Sequence, residues 1–132
     1  MAMYQELNTL CESISSLENG IQSVTAINKF GRPVERVDSK ENDLHLPYNS
    51  EMFYMQCVLQ ISMGRDFDEQ YGPINYHASE RQNLTMLTFP VYDHVLLVTT
   101  KKEISPISLA REIICLIDAH RKQATNFPRG IR

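Results

Sequence analysis

Apolar residues recur along the chain at two spacings, and the change between them separates predicted helices from predicted strands. Between residues 4 and 17 they lie three or four positions apart, and the pattern stops at Asn19-Gly20. That spacing is the period of an amphipathic helix, and an Asn-Gly pair tolerates the left-handed conformation that closes many helices. The β-branched runs at 21–27 and 33–37 predict two antiparallel strands, joined by a turn in which Gly31 supplies a positive φ.

A second apolar segment opens at Ser50-Glu51, where the serine can cap free N–H groups and the glutamate suits the helix dipole. It predicts a second helix, which Gly64 weakens and Gly72-Pro73 ends. Three strands in an antiparallel meander are predicted next, at residues 74–79, 84–89 and 94–100. Ser105-Pro106 then starts a third helix, which we predict to run to about residue 120.

The second predicted helix is apolar around most of its circumference, more than one face of a sheet can cover. Met52, Met55, Leu59 and Met63 fall near one stripe, with Gln56 beside them. Simple packing of these side chains in the core is the alternative explanation. Because the methionine thioether adapts to varied apolar partners, we predict that these five residues form an interface with a second copy or another protein.

Length and composition favour one folded domain. The chain has 132 residues, the usual size of a single domain, and its 42% hydrophobic and 22% charged residues are typical of globular proteins. We expect one domain over residues 1–124 and a short tail over 125–132, where Pro128 and Gly130 interrupt the helical pattern. The polar segment 38–49 is predicted to be an exposed loop.

Charge and hydropathy exclude two classes of partner. The formal net charge is −3, so the chain lacks the basic field that neutralising nucleic-acid phosphates requires. Its first residues lack the pattern of a signal peptide, and no apolar stretch approaches the ~20 residues that span a bilayer. We therefore expect a cytoplasmic protein that neither binds nucleic acid nor inserts into a membrane.

Candidate catalytic and metal-binding patterns are absent from the sequence. The four histidines are His45, His77, His94 and His120. No two of them are four residues apart, and no pair of cysteines has the close spacing typical of metal sites. There is no G-x-S-x-G elbow, no phosphate-binding glycine motif and no calcium loop around Asp66, Asp68 and Glu69. We predict no cofactor, no metal and no enzymatic activity, and we expect the three cysteines to be buried thiols.

The order of predicted elements, together with residues 19–34 and 92–98, resembles the roadblock-type dynein light chain superfamily, in the manner of an archaeal or bacterial single-domain member. Gly20 follows the first helix, Val24 and Ala26 lie in the first strand, and Gly31 closes the turn before Val34. The resemblance covers about residues 4–122. It implies an α+β fold of the order α-β-β-α-β-β-β-α, related to profilin-like and longin-like folds, with a five-stranded antiparallel sheet flanked by helices.

The same resemblance implies a non-catalytic protein-interaction module. We expect a homodimeric adaptor or scaffold whose partner is a small Ras-like GTPase or a multiprotein complex. A second hypothesis, from a different class, is a small-molecule sensor like PAS or profilin-like domains, with a ligand between the sheet and a helix. A pocket of about 300 Å³ or more, lined by apolar and a few polar side chains, would favour the sensor.

Overall fold

Five antiparallel strands form one sheet in the order β2-β1-β5-β4-β3. The structure is a computed structural model that describes residues 2–39 and 50–125. Its elements in chain order are α1 (Ala2–Ser15), β1 (Ile21–Ile27), β2 (Pro33–Asp38), α2 (Ser50–Gly64), a 3-10 turn (Arg65–Phe67), the short helix α3 (Asp68–Tyr71), β3 (His77–Glu80), β4 (Thr85–Val91), β5 (His94–Thr100) and α4 (Pro106–Thr125). The predicted α+β architecture is thus confirmed.

Helices α1 and α4 cover one face of the sheet and form the larger core. Alternate residues of a strand point to the same face, so the inward residues of the three central strands meet there. They are Val24, Ala26, Leu87, Phe89, Leu96 and Val98, all without solvent exposure. The helices contribute side chains at helical spacing, namely Leu7, Leu10, Cys11 and Ile14 from α1 and Leu109, Ala110, Ile113 and Ile117 from α4. Burying each large side chain contributes about 1.5–3 kcal/mol.

Among the described residues, α2 is the one long helix on the opposite face. It buries only Tyr54, Cys57 and Ile61, which pack with partly buried neighbours onto the side chains of Ile27, Val95 and Leu97. Tyr54 also accepts a hydrogen bond from the Arg36 guanidinium on β2, at 3.2 Å. Helix α2 is therefore attached to the sheet through one side of its surface, and the opposite side is free of these contacts.

The β1–β2 turn has the predicted glycine conformation. Gly31 has a φ of +80°, and the Asn28 side-chain oxygen accepts hydrogen bonds from the backbone N–H groups of Phe30 and Arg32. A side chain in that position holds the backbone of the turn directly, as in Asx turns. At the β4–β5 hairpin, two residues form the turn, and Tyr92 adopts a φ of +57°.

Several element boundaries differ from the predictions. Strand β3 begins at His77, three residues later than expected, because Ile74 and Tyr76 pack into the cores on opposite faces of the sheet. Strand β4 extends through Pro90 to Val91, two residues beyond its predicted end at residue 89. Proline is tolerated here because β3 pairs only as far as Thr88, so no neighbour requires the missing N–H.

Helix α4 is also longer than predicted, because no helix-breaking residue follows position 120 until Pro128. The predicted loop at 38–49 lies mostly outside the described residues, as does most of the tail at 125–132. Those two expectations, and the division into domain and tail, stay predictions.

A buried hydrogen bond between β1 and β5 allows a direct test of the packing inside the sheet. The hydroxyl oxygens of Ser23 and Thr99 lie 2.7 Å apart, and both residues are buried. Thr99→Val should lower the free energy of unfolding by about 1–2 kcal/mol, because it leaves the Ser23 hydroxyl buried without a partner. Ser23→Ala should have a similar effect. Urea denaturation followed by circular dichroism measures both.

The double variant is the control for this pair. With both hydroxyls removed, no unpaired group remains, so the loss should be clearly smaller than the sum of the two single losses. Strictly additive losses would show that the two hydroxyls are not coupled.

Candidate interaction surface

One side of α2 carries apolar side chains that the chain itself leaves in solvent. Met52, Leu59 and Met63 are 72%, 48% and 67% exposed, and the exposed Gln56 lies between them. Steps of four, three and four residues place these side chains on one side of a helix, opposite the buried Tyr54, Cys57 and Ile61. We call Met52, Gln56, Leu59 and Met63 the outer stripe.

Met55, the fifth residue predicted for the interface, lies beside the outer stripe and is half-buried. It packs against the β1–β2 turn so closely that a side chain on Gly31 would come within 2.9 Å of the Met55 Cε and 3.2 Å of its Cα. The absence of a side chain at Gly31 therefore lets α2 approach the turn. A change at Met55 would disturb this packing as well as any interface, so the outer stripe is the better place for a test.

Within the described parts of the chain, one edge of the sheet is unpaired, which the sequence did not indicate. All four residues of β3 are exposed, and β3 is the edge strand. The Arg81 N–H donates a hydrogen bond to the Leu84 carbonyl, so the backbone groups of Arg81 point toward β4. In an antiparallel pair this direction alternates along the strand. The N–H and C=O groups of Ala78 and Glu80 therefore point away from β4, toward the open edge. The other edge strand, β2, begins with Pro33 and carries alternating charges, which oppose edge pairing.

A narrow polar groove separates the outer stripe from β3. It holds about 60 Å³, enough for a few water molecules. Thr88 lines it, and its hydroxyl is buried without a hydrogen-bond partner among the residues that the structure describes. The α2 side chains that line the groove are Phe53, Gln56, Cys57 and Gln60. Gln56 belongs to both the groove and the outer stripe, so the helix and the sheet edge form one continuous surface.

Two aromatic side chains follow the outer stripe along the chain. Phe67 ends the 3-10 turn and is 57% exposed, and Tyr71 ends α3 and is 82% exposed. Their ring centroids are 6.4 Å apart. The sequence pattern did not indicate this aromatic pair, because the charged residues around it hide it from a hydropathy pattern.

The cysteines divide into two buried thiols and one exposed thiol. Burial, reinforced by the nearby carboxylates of Glu35 and Glu12, raises the pKa of Cys11 to about 12, and burial raises the pKa of Cys57 to about 11. Both are therefore protonated at neutral pH and poor nucleophiles. The expectation that all three thiols are buried was wrong, because Cys115 lies on the solvent side of α4.

The histidines lie on separate elements. His77 is exposed on β3, His120 lies on α4, and His94 is buried at the start of β5 with its Nδ1 2.9 Å from the Asp93 carboxylate. His45 lies outside the described residues. Within residues 2–39 and 50–125, no group of three or more histidine, cysteine or carboxylate side chains is placed to hold a metal ion.

The described helices also include none that is long and apolar enough to cross a membrane.

A second, larger cleft bears on the sensor hypothesis. It has a volume of about 310 Å³ and lies at the sheet edge, between the segment after α2 and helix α4, not between the sheet and a helix as the hypothesis supposed. Isoleucines and prolines line it together with charged side chains. Its size reaches the lower limit for ligand pockets.

Several solved structures have the same fold as this chain. The Roadblock/LC7 domain from Streptomyces avermitilis matches with a TM-score of 0.66 over 90% of this chain and 98% of its own, at 13% identity. Myxococcus xanthus MglB matches with a TM-score of 0.68 over 94% of this chain and 90% of its own, at 13% identity. MglC from the same organism matches with a TM-score of 0.60 over 89% and 98%, also at 13% identity.

The chain therefore has the roadblock/LC7 fold, as its sequence resemblance implied. No family model matches the sequence, and no curated protein matches it significantly.

Thiol reactivity checks the placement of the three cysteines. Under native conditions near neutral pH, a disulfide reagent such as DTNB should modify Cys115 rapidly, while Cys11 and Cys57 react at least about a hundredfold more slowly, because they are buried and protonated. All three should react quickly in denaturant. The Cys115→Ser variant is the control and should lack the fast phase. Two or more rapidly reacting thiols in the native protein would contradict the described packing.

Proposed function

We propose that this chain is a non-catalytic protein-interaction module that works as a homodimer. The observation that carries the proposal is the outer stripe: three large apolar side chains on one side of α2, on a helix whose other side is fixed to the sheet. Scattered exposed apolar residues are common, but a row of them on one helix marks an interface. Covering Met52, Leu59 and Met63 would contribute about 1.5–3 kcal/mol for each side chain fully buried.

The free edge of β3 supports a symmetric arrangement. In a twofold dimer the same surface of each protomer contacts its equivalent, so two β3 strands can pair antiparallel across the axis. Ala78 and Ser79 are small, and the outward groups at Ala78 and Glu80 supply the donors and acceptors. The side of α2 that carries Phe53 and Gln60 lines the groove beside β3, so strand pairing also brings the two α2 helices toward each other.

The dimer then serves as a platform for a further protein, which we propose to be a small Ras-like GTPase or a scaffold component. Support for this step comes from the fold class and from the exposed aromatic pair of Phe67 and Tyr71, since aromatic side chains often anchor protein interfaces. One structure of this fold is described as MglB with a tetrameric arrangement, so that protein assembles beyond a single chain. The module acts by positioning its partners in the cytoplasm.

A charge placed in the outer stripe tests the helix part of the interface. Leu59→Asp should weaken self-association at least about tenfold, because the dimer would bury an unpaired carboxylate. Helical content should stay unchanged, since Leu59 points away from its own core. Size-exclusion chromatography with light scattering measures the mass, and circular dichroism measures the fold.

Ile107→Asp is the matched control for this variant. Ile107 is an exposed apolar residue of α4, on the other face of the sheet, and the aspartate there should leave the dimer intact. A wild-type protein that is monomeric at high concentration, or a Leu59→Asp variant that remains dimeric, would overturn the proposal.

A proline in β3 tests the strand part separately. Ala78→Pro removes an outward N–H from the edge but keeps the ladder to β4, so it should weaken dimerisation at least about tenfold with little loss of stability. Ala78→Ser keeps the N–H and should dimerise like the wild type. Sedimentation analysis across a concentration series measures both constants. Unchanged association of Ala78→Pro would assign the interface to α2 alone and exclude pairing of β3.

A further inference from the structure

The cleft of about 310 Å³ lies where β3 stops short of the end of β4. The chain from Pro73 to Asn75 crosses the open edge there, and helix α4 forms the opposite wall. We call this the edge cleft. It shares no lining residue with the groove between α2 and β3, and its α2 residue Ile61 lies on the side of the helix away from the outer stripe. The proposed self-association through the outer stripe and β3 uses none of its lining residues.

The lining of the edge cleft combines an apolar wall with charged groups. Five aliphatic or proline side chains supply the apolar part, namely Ile61, Ile74, Pro90, Ile114 and Ile117. Small-molecule sites usually have this composition, an apolar lining with a few polar groups that orient the ligand. Branched side chains from three separate elements give the wall a shape that suits a branched aliphatic group.

The charged groups of the edge cleft are balanced in sign. Two arginines, Arg65 and Arg121, and two aspartates, Asp68 and Asp118, line it. Arg121 donates a hydrogen bond to the Pro90 carbonyl at 3.2 Å, so it joins α4 to the β4 wall. Two cations and two carboxylates in one cleft match neither a simple anion nor a simple cation.

Asp68 is a charged residue of the edge cleft whose hydrogen bonding is incomplete. Its Oδ1 is buried and has no hydrogen-bond partner in the described parts of the chain. No ion pair within 4.0 Å joins Asp68 to Arg65, three residues before it, in this part of the structure. A buried carboxylate oxygen without a donor is costly, and a ligand ammonium group beside the accessible part of this carboxylate would offset part of that cost.

We propose that the edge cleft binds a small aliphatic zwitterion, an amino acid with a branched side chain or its dipeptide. The ligand ammonium group contacts Asp68, with Asp118 nearby, and its carboxylate contacts the Arg65 guanidinium, a favourable planar partner for carboxylates. The isoleucines hold the aliphatic body. Arg121 is a positioning residue that keeps the two walls together. The site gives the module a ligand-binding function in addition to the proposed assembly.

Four small probes separate the parts of this proposal in a titration followed by ¹⁵N–¹H NMR. L-leucine and L-leucyl-L-leucine carry both charges and the branched body, and at least one should shift amides of residues 61–75 and 114–121 saturably. 4-Methylpentanoate lacks the ammonium group, and glycine lacks the aliphatic body. Each should bind at least about tenfold more weakly than the better zwitterion, because one set of contacts is lost.

Single variants then assign the charges. Asp68→Asn and Arg65→Gln should each weaken binding of the better probe at least about tenfold, while Asp66→Asn, the exposed neighbour outside the cleft, should not change it. Both sites are at least partly exposed, so the amide spectrum of each variant should show an unchanged fold. Absence of saturable shifts with both zwitterions, equal binding of 4-methylpentanoate, or full affinity in Asp68→Asn would overturn the proposal. None of these results depends on dimerisation.

Discussion

The rest of the structure depends on how α2 packs: one side of the helix contacts the sheet, and the opposite side does not. Two helices share the other face of the sheet and enclose its apolar side chains, whereas α2 is the one long helix of the described residues on its own face. A lone helix can bury only the side that it turns to the sheet. With Tyr54, Cys57 and Ile61 on that side, the residues half a turn away are left in water, and three of them are large and apolar.

Local contacts of different types hold α2 close to the sheet. Gly31 permits contact between the β1–β2 turn and Met55, and the Tyr54 hydroxyl accepts a hydrogen bond from Arg36 on the edge strand β2. On the same face of the sheet, the buried hydroxyls of Ser23 and Thr99 form a hydrogen bond with each other. These contacts hold α2 in one orientation. The exposed side chains of the helix therefore keep a defined arrangement, which a specific interface requires.

Periodicity predicted the elements well where the chain pattern and the tertiary structure agree. The first two strands were predicted to within about a residue at each end, because the β-branched runs and Gly31 favour the same boundaries. The start of α2 at Ser50 was also predicted, but the helix ends at Gly64, before the predicted end at Gly72-Pro73, and a 3-10 turn and α3 follow it. The periodicity failed at residues 74–76, whose apolar side chains pack into two different cores where the chain passes the edge of the sheet. The outer stripe followed from helical spacing, but the free β3 edge and the edge cleft did not, because both arise from residues far apart in sequence.

Amide hydrogen exchange at β3, measured across a range of protein concentrations, tests the central claim most directly. The N–H groups of Ala78 and Glu80 point away from β4, so in an isolated protomer they exchange at the rate of an open edge. If a second protomer covers the outer stripe and pairs with β3, their exchange should slow together as the concentration rises, while the amides of α4 stay unchanged. Rapid exchange of both groups at every concentration would contradict the account.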